Sequence, residues 1–222
     1  MSQPSQTSDG IVVNGDRRWL VLLPGFQTPA SAYRGLAEAI AAGGPTVYVP
    51  QVVRPGPMAL LGKPDVQTEA VRATAVVAAV RRARKPTAVV VAGHSRGGLA
   101  AWLMADHVDL DGLVLIDPVD AAGPRPRRPA FTLQPTLLPY EALIIGAGRA
   151  GPCAPAGVNH EAFAGATPGC RHVVLPDLGH ADILSGRWRS GGRRLCGGGA
   201  DPAAGRQAVA GLIGAVMRSA RA

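Results

Sequence analysis

Apolar β-branched runs alternate along the chain with stretches of helical spacing, a pattern that predicts a mostly parallel sheet with helices on both faces. Residues 11–13 begin an edge strand, and residues 19–23 form a buried strand that ends in the turn Pro24-Gly25. Helical spacing over 33–40 stops at Gly43-Gly44-Pro45, and the next strand is 46–49. Prolines and glycines make 54–64 a loop. A long amphipathic helix is expected over 67–84, with Val71, Ala75, Val76, Ala79 and Val80 as its buried stripe. Strands follow at 87–92, 113–116, 142–145 and 172–175, with helices at 99–105 and 203–218. The last helix turns Val209, Leu212, Ile213 and Val216 to one side. The density of Pro and Arg between 121 and 139 predicts an irregular loop over the sheet's functional edge.

The 222 residues fit one sizeable domain over 11–222, preceded by a polar lead, 1–10, that is expected to be disordered. That lead lacks the apolar core of a secretory signal, and no apolar run approaches the ~20 residues of a spanning helix. A cytoplasmic protein is the simplest expectation. The net charge of +8 raises nucleic-acid binding as a function, but 21 of the 23 basic residues are Arg, scattered in small groups. No zinc finger, aromatic ribonucleoprotein motif or helix-turn-helix accompanies them, so nucleic acid is excluded as the partner. The same charge suits contact with an anionic membrane surface.

Chemistry concentrates in Gly93-His94-Ser95-Arg96-Gly97-Gly98, set between the strand 87–92 and the helix 99–105. In that context Gly-x-Ser-x-Gly is a nucleophile elbow, a tight turn that lifts the serine out of the sheet. A serine hydroxyl needs a base, and in this arrangement the histidine follows the last strand. His180 stands there, in a turn-rich loop, whereas His94 is too close along the chain to Ser95 to serve. The acid's usual place after strand 142–145 is empty, since 146–158 contains no Asp or Glu. One strand earlier Asp117 closes the run 113–117, where its carboxylate can accept from a histidine Nδ1–H; Asp120 is the nearest competitor. Asp177 and Asp182 flank His180 and are expected to shape its loop. Two backbone N–H groups, those of Phe26 and Arg96, fall where an oxyanion hole belongs. The sum is an α/β-hydrolase fold with loops in place of a large lid.

The three cysteines, Cys153, Cys170 and Cys196, have no metal-ligand spacing. They are read either as three thiols or as one Cys153–Cys170 bridge beside a thiol.

Four segments in order, 93–98, 116–119, 152–160 and 178–184, resemble the motifs of the chlorophyllase family. The string Pro152-Cys153-Ala154-Pro155 leading to Gly157-Val158-Asn159-His160 is the most specific of them. The resemblance implies a Ser-His-Asp esterase that cleaves the phytyl ester of chlorophyll without a cofactor, with Ser95, Asp117 and His180 as the triad. Two departures stand out: Pro24 occupies a place where many members carry histidine, and Phe163-Ala164 replaces a paired Phe. Asn159 and His160 carry two readings. Either Asn159 caps a short helix while His160 packs at the sheet edge, or both line the pocket and meet polar groups of the macrocycle.

Overall fold

The computed structural model describes residues 5–7, 10–53, 56, 65–120 and 128–220. The predicted loop 54–64 and the segment 121–127 therefore lie almost entirely outside the described residues. Eight strands form one sheet: β1 (Ser5–Thr7), β2 (Gly10–Val13), β3 (Arg18–Leu23), β4 (Thr46–Pro50), β5 (Ala88–His94), β6 (Gly112–Ile116), β7 (Ala142–Arg149) and β8 (Arg171–Gly179). Their spatial order is β1-β2-β4-β3-β5-β6-β7-β8. The first two pairings, β1 with β2 and β2 with β4, are antiparallel, and every other pairing is parallel. This is the α/β-hydrolase arrangement.

The parallel core follows from side-chain alternation. Along β5 every residue is buried, which a Val-rich strand with helices on both faces requires. Val90 and Ala92 join Leu20, Leu22, Val114 and Ile145 on one face, under α1 (Arg34–Ala41) and the C-terminal helix α6 (Pro202–Ser219). Val89 and Val91 join Val21, Leu23, Leu113 and Ile144 on the other. There they pack under α2 (Val66–Arg84), α3 (Arg96–Met104) and α4 (His160–Ala166). Helix α5 (Gly186–Cys196) lies between β8 and α6 in the chain.

Three expectations are corrected, and one helix is added. Residues 5–7, placed in a disordered lead, pair with β2 through Ser5↔Val12 to Thr7↔Gly10, so β2 is not the sheet edge. Backbone pairing suffices for such a strand, and its polar sequence carries no apolar signal. In α2 the buried residues are Val66, Ala70, Ala73, Val77 and Val80, while Val71 is exposed. Small apolar residues occupy all sides of that helix, so spacing alone leaves its face undetermined. The third correction concerns cysteine: Cys153 bonds to Cys196, with Cα atoms 5.0 Å apart, and Cys170 is the free thiol. Helix α5 is added to the predicted elements: its two large apolar residues, Trp188 and Leu195, are outnumbered by Arg and Gly, which mask the helical signal.

Candidate active site

The strands of a parallel sheet end together, and here their ends are bonded to one another. Ser95 N–H donates to Ile116 O (3.0 Å) at the end of β6, and Asp117 N–H donates to Ile145 O (2.6 Å) in β7. Ser95 and Asp117 both take positive φ, 55° and 41°. For residues other than glycine that conformation is strained, and it is sustained by surrounding contacts. Gly93 and Gly97 permit the elbow: a Cβ on Gly93 would run into the Gly97 carbonyl, and one on Gly97 into the carbonyls of Leu23 and Pro24. Serine at the N-cap of a helix ordinarily spends its hydroxyl on a backbone N–H. Ser95 occupies the N-cap of α3 yet makes no such bond. The positive-φ turn leaves the hydroxyl for other use.

Asp117 is 1 % exposed and His180 7 % exposed, and His180 Nδ1 lies 2.6 Å from Asp117 Oδ2. The other carboxylate oxygen accepts from Ala147 N–H at 3.1 Å. With Nδ1–H donated to the carboxylate, the neutral ring carries its lone pair on Nε2. Ser95 and His180 line the same cavity, of about 780 Å³, which is within the usual range for a small-molecule site. Asp120, the rival acid, is committed elsewhere: its Oδ2 accepts the N–H groups of Ala130, Phe131 and Thr132 and the Thr132 hydroxyl.

Phe26 and Arg96 line the cavity with Ser95. The neighbouring Gly25 N–H is already given to Tyr33 Oη (2.8 Å). The Arg96 side chain turns away to pair with Glu69, Nε to Oε1 at 2.9 Å, and its guanidinium sits 5.8 Å from the centre of the Phe26 ring. Burial raises the Glu69 carboxyl above its ordinary value, partly offset by Arg96.

Two further groups hold the loop of His180. Asp182, fully buried, accepts from Gly179 N–H (2.7 Å) and Gly199 N–H (2.8 Å) and pairs with Arg193. Asp177 instead pairs with Arg149 at the surface. His94, although not placed to act as the base, contacts the His180 carbonyl through Nε2 at 2.9 Å and the Tyr33 hydroxyl through Nδ1 at 2.7 Å. Burial and the neighbouring His180 push its pKa well below 6.5. Nothing in the spacing of the sequence pointed to that second role.

Asn159 and His160 do not line the cavity. Asn159 caps α4 by accepting from Glu161 N–H (3.3 Å), and His160 packs on Gly146 with Nδ1 2.9 Å from His172 Nε2. The described part of the 121–139 loop is also missing from the lining. In its place α5 supplies a wall through Arg187, Trp188, Gly191, Gly192 and Leu195. Among the described residues no helix is long and apolar enough to cross a membrane.

Comparison with known proteins bears on this arrangement. Chlorophyllase-2 of Arabidopsis thaliana is 34% identical over 119 residues, covering 42% of this chain and 36% of the relative. Chlorophyllase-1, chloroplastic, of Citrus unshiu is 32% identical over 111 residues, covering 43% and 32%. The matched stretch thus spans about a third of the length of these relatives. Among solved structures, dienelactone hydrolase from Anabaena variabilis superposes with a TM-score of 0.65 at 15% identity, over 100% of this chain and 98% of that one. A metagenome-derived lipolytic enzyme gives a TM-score of 0.57 at 17% identity, over 83% and 94%. Both are similar in fold. The chlorophyllase family model matches residues 12–221, and the chain belongs to the chlorophyllase family.

Proposed function

We propose that the protein is a serine ester hydrolase that cleaves the phytyl ester of chlorophyll or a related tetrapyrrole. The observation that carries this reading is the 2.6 Å contact of His180 Nδ1 with Asp117, made beside a cavity that Ser95 enters on a strained turn. His180 Nε2 takes the Ser95 proton as Oγ attacks the ester carbonyl, and the oxyanion accepts from the N–H groups of Phe26 and Arg96. The imidazolium, held by Asp117, passes its proton to the departing phytol oxygen. Water then gives a proton to His180 and attacks the acyl-enzyme, which releases chlorophyllide acid and restores Ser95. Protons pass only between these side chains, the ester and water, so the steps balance without a cofactor. The substrate class comes from the family and from the Pro152–His160 string, and the chain's net charge of +8 suits approach to an anionic membrane surface where such esters partition.

The experiment that tests this incubates the protein with chlorophyll a and with p-nitrophenyl esters, separates the products by chromatography and labels parallel samples with a fluorophosphonate. Chlorophyllide formation and labelling, both lost in Ser95→Ala, are expected. Turnover of short esters without chlorophyllide overturns the substrate and keeps the esterase. Absence of labelling and of all turnover overturns both.

A further inference from the structure

Helix α5 presents one stripe to the cavity, in which Arg187 and Trp188 lie one turn before Gly191 and Gly192, and Leu195 one turn after. The middle turn of that wall has no side chains. The two glycines have different reasons to be there. A Cβ on Gly192 would stand 2.5 Å from the Cβ of Ala181, the residue after the candidate base, so close packing on the His180 loop requires glycine. A Cβ on Gly191 would meet nothing within 4 Å. Nor does Gly191 have the positive φ that favours glycine. Glycine is the poorest helix former after proline, and alanine would fit the protein better at this position. Packing and backbone geometry leave it unexplained, and its only distinctive surroundings are those of the cavity.

The wall is held in place at both ends. Cys196 is bonded to Cys153, and Arg193 pairs with Asp182. Ser185, just before α5, donates its N–H to Ala32 O (2.7 Å) and accepts Gly35 N–H on Oγ (3.1 Å). Gly191 is itself exposed and lines the cavity, so bulk added there stands at the cavity's open side, where sliding the helix cannot relieve it. We propose that the notch at Gly191 is a subsite for the bulky apolar group of the ester, flanked by Trp188 and Leu195. The proposal rests on the esterase reading above. Its ligand is a large apolar group, whether that group belongs to the alcohol or to the acyl part.

The test measures kcat/KM for Gly191→Ala, Gly191→Leu and Gly191→Phe on p-nitrophenyl acetate, p-nitrophenyl palmitate and phytyl acetate. In the Leu and Phe variants the ratio of a long ester to the acetate is expected to fall at least tenfold. A fall with palmitate assigns the notch to the acyl group, and one with phytyl acetate assigns it to the alcohol. Ratios that stay within twofold for both long esters overturn the proposal. Thermal unfolding checks the premise independently of activity: Gly191→Ala is expected to melt about 2–4 °C higher. A lower melting temperature would mean that packing demands the glycine after all, which also overturns it. Should the protein turn over no ester, the esterase reading fails by itself, and the notch is read from saturable binding of tritiated phytol. Loss of that binding in Gly191→Phe supports the subsite, and undiminished or undetectable binding overturns it.

Discussion

His94 donates from Nε2 to the carbonyl of His180 at 2.9 Å, so the residue beside the candidate nucleophile holds the backbone of the candidate base. A carbonyl can only accept, which fixes the tautomer: Nδ1 is unprotonated and accepts from the Tyr33 hydroxyl at 2.7 Å. Tyr33 Oη in turn accepts the N–H of Gly25 at 2.8 Å. One buried chain of bonds therefore joins the Gly25-Phe26 turn, the elbow and the His180 loop.

Tyr33→Phe removes a hydroxyl from the centre of that chain. It leaves the Gly25 N–H and His94 Nδ1 without partners in a buried setting, at a cost of about 1–3 kcal/mol of folding stability. The three loops lose their common register, and kcat/KM on a p-nitrophenyl ester is expected to fall roughly tenfold or more. Chemical denaturation and steady-state kinetics check the two effects. Unaltered kinetics in a destabilised variant would reduce the chain to a structural tie.

The two neighbouring acids separate cleanly by substitution. Asp117→Asn keeps the shape but removes the charge that orients His180 Nδ1–H, and kcat is expected to drop by a factor on the order of 10⁴. Asp120→Asn retains an oxygen for the N–H groups of Ala130, Phe131 and Thr132, so its effect is expected on that loop, read as faster limited proteolysis. A larger loss of turnover in Asp120→Asn than in Asp117→Asn would reverse the choice of acid.

His94 also gives the fold a pH dependence. Its native pKa is pushed well below 6.5 by burial, and His160 shifts in the same direction for the same reason. Between the depressed native values and 6.5 the unfolded chain binds protons that the native state refuses, so stability rises with pH there. It is level above 6.5 as far as these groups are concerned. The melting temperature is therefore expected to fall as pH drops below about 6.5. His94→Gln lowers stability overall and flattens this slope. An unchanged slope in that variant would show that His94 is protonated in the native state.

The sheet was legible because its strands carry their own signal: 88–94 and 112–116 are apolar on both sides, as doubly covered strands must be. The meeting of Ser95, Asp117 and His180 at the strand ends was legible from chain order and from the loops that follow strands. What escaped has physical reasons. Helix α5 buries only Cys196, and the stripe it turns to the cavity carries just Trp188 and Leu195 around two glycines, too few apolar side chains to announce a helix. His94 acts through backbone and hydroxyl contacts that only the fold assembles. The disulfide partner was likewise a matter of space, since Cys170 and Cys196 both follow Cys153 and only Cys196 ends a helix that packs beside it.

That bridge closes a loop of 43 residues' separation and pins the end of the cavity wall. Closing such a loop restricts the unfolded chain, and its loss is expected to cost about 2–4 kcal/mol. Cys153→Ser or Cys196→Ser should therefore shift the denaturation midpoint substantially and lose any further sensitivity to reductant. Cys170→Ser, whose thiol is free and contacts the Ala164 carbonyl at 3.8 Å, should keep the response to reductant. Alkylation of the oxidised, denatured chain followed by peptide mapping checks the pairing directly. Label on Cys170 is expected, with Cys153 and Cys196 recovered in one linked peptide. Label on Cys196 would return the pairing to Cys153–Cys170 and free the end of α5, and with it the premise that the wall at Gly191 is rigid.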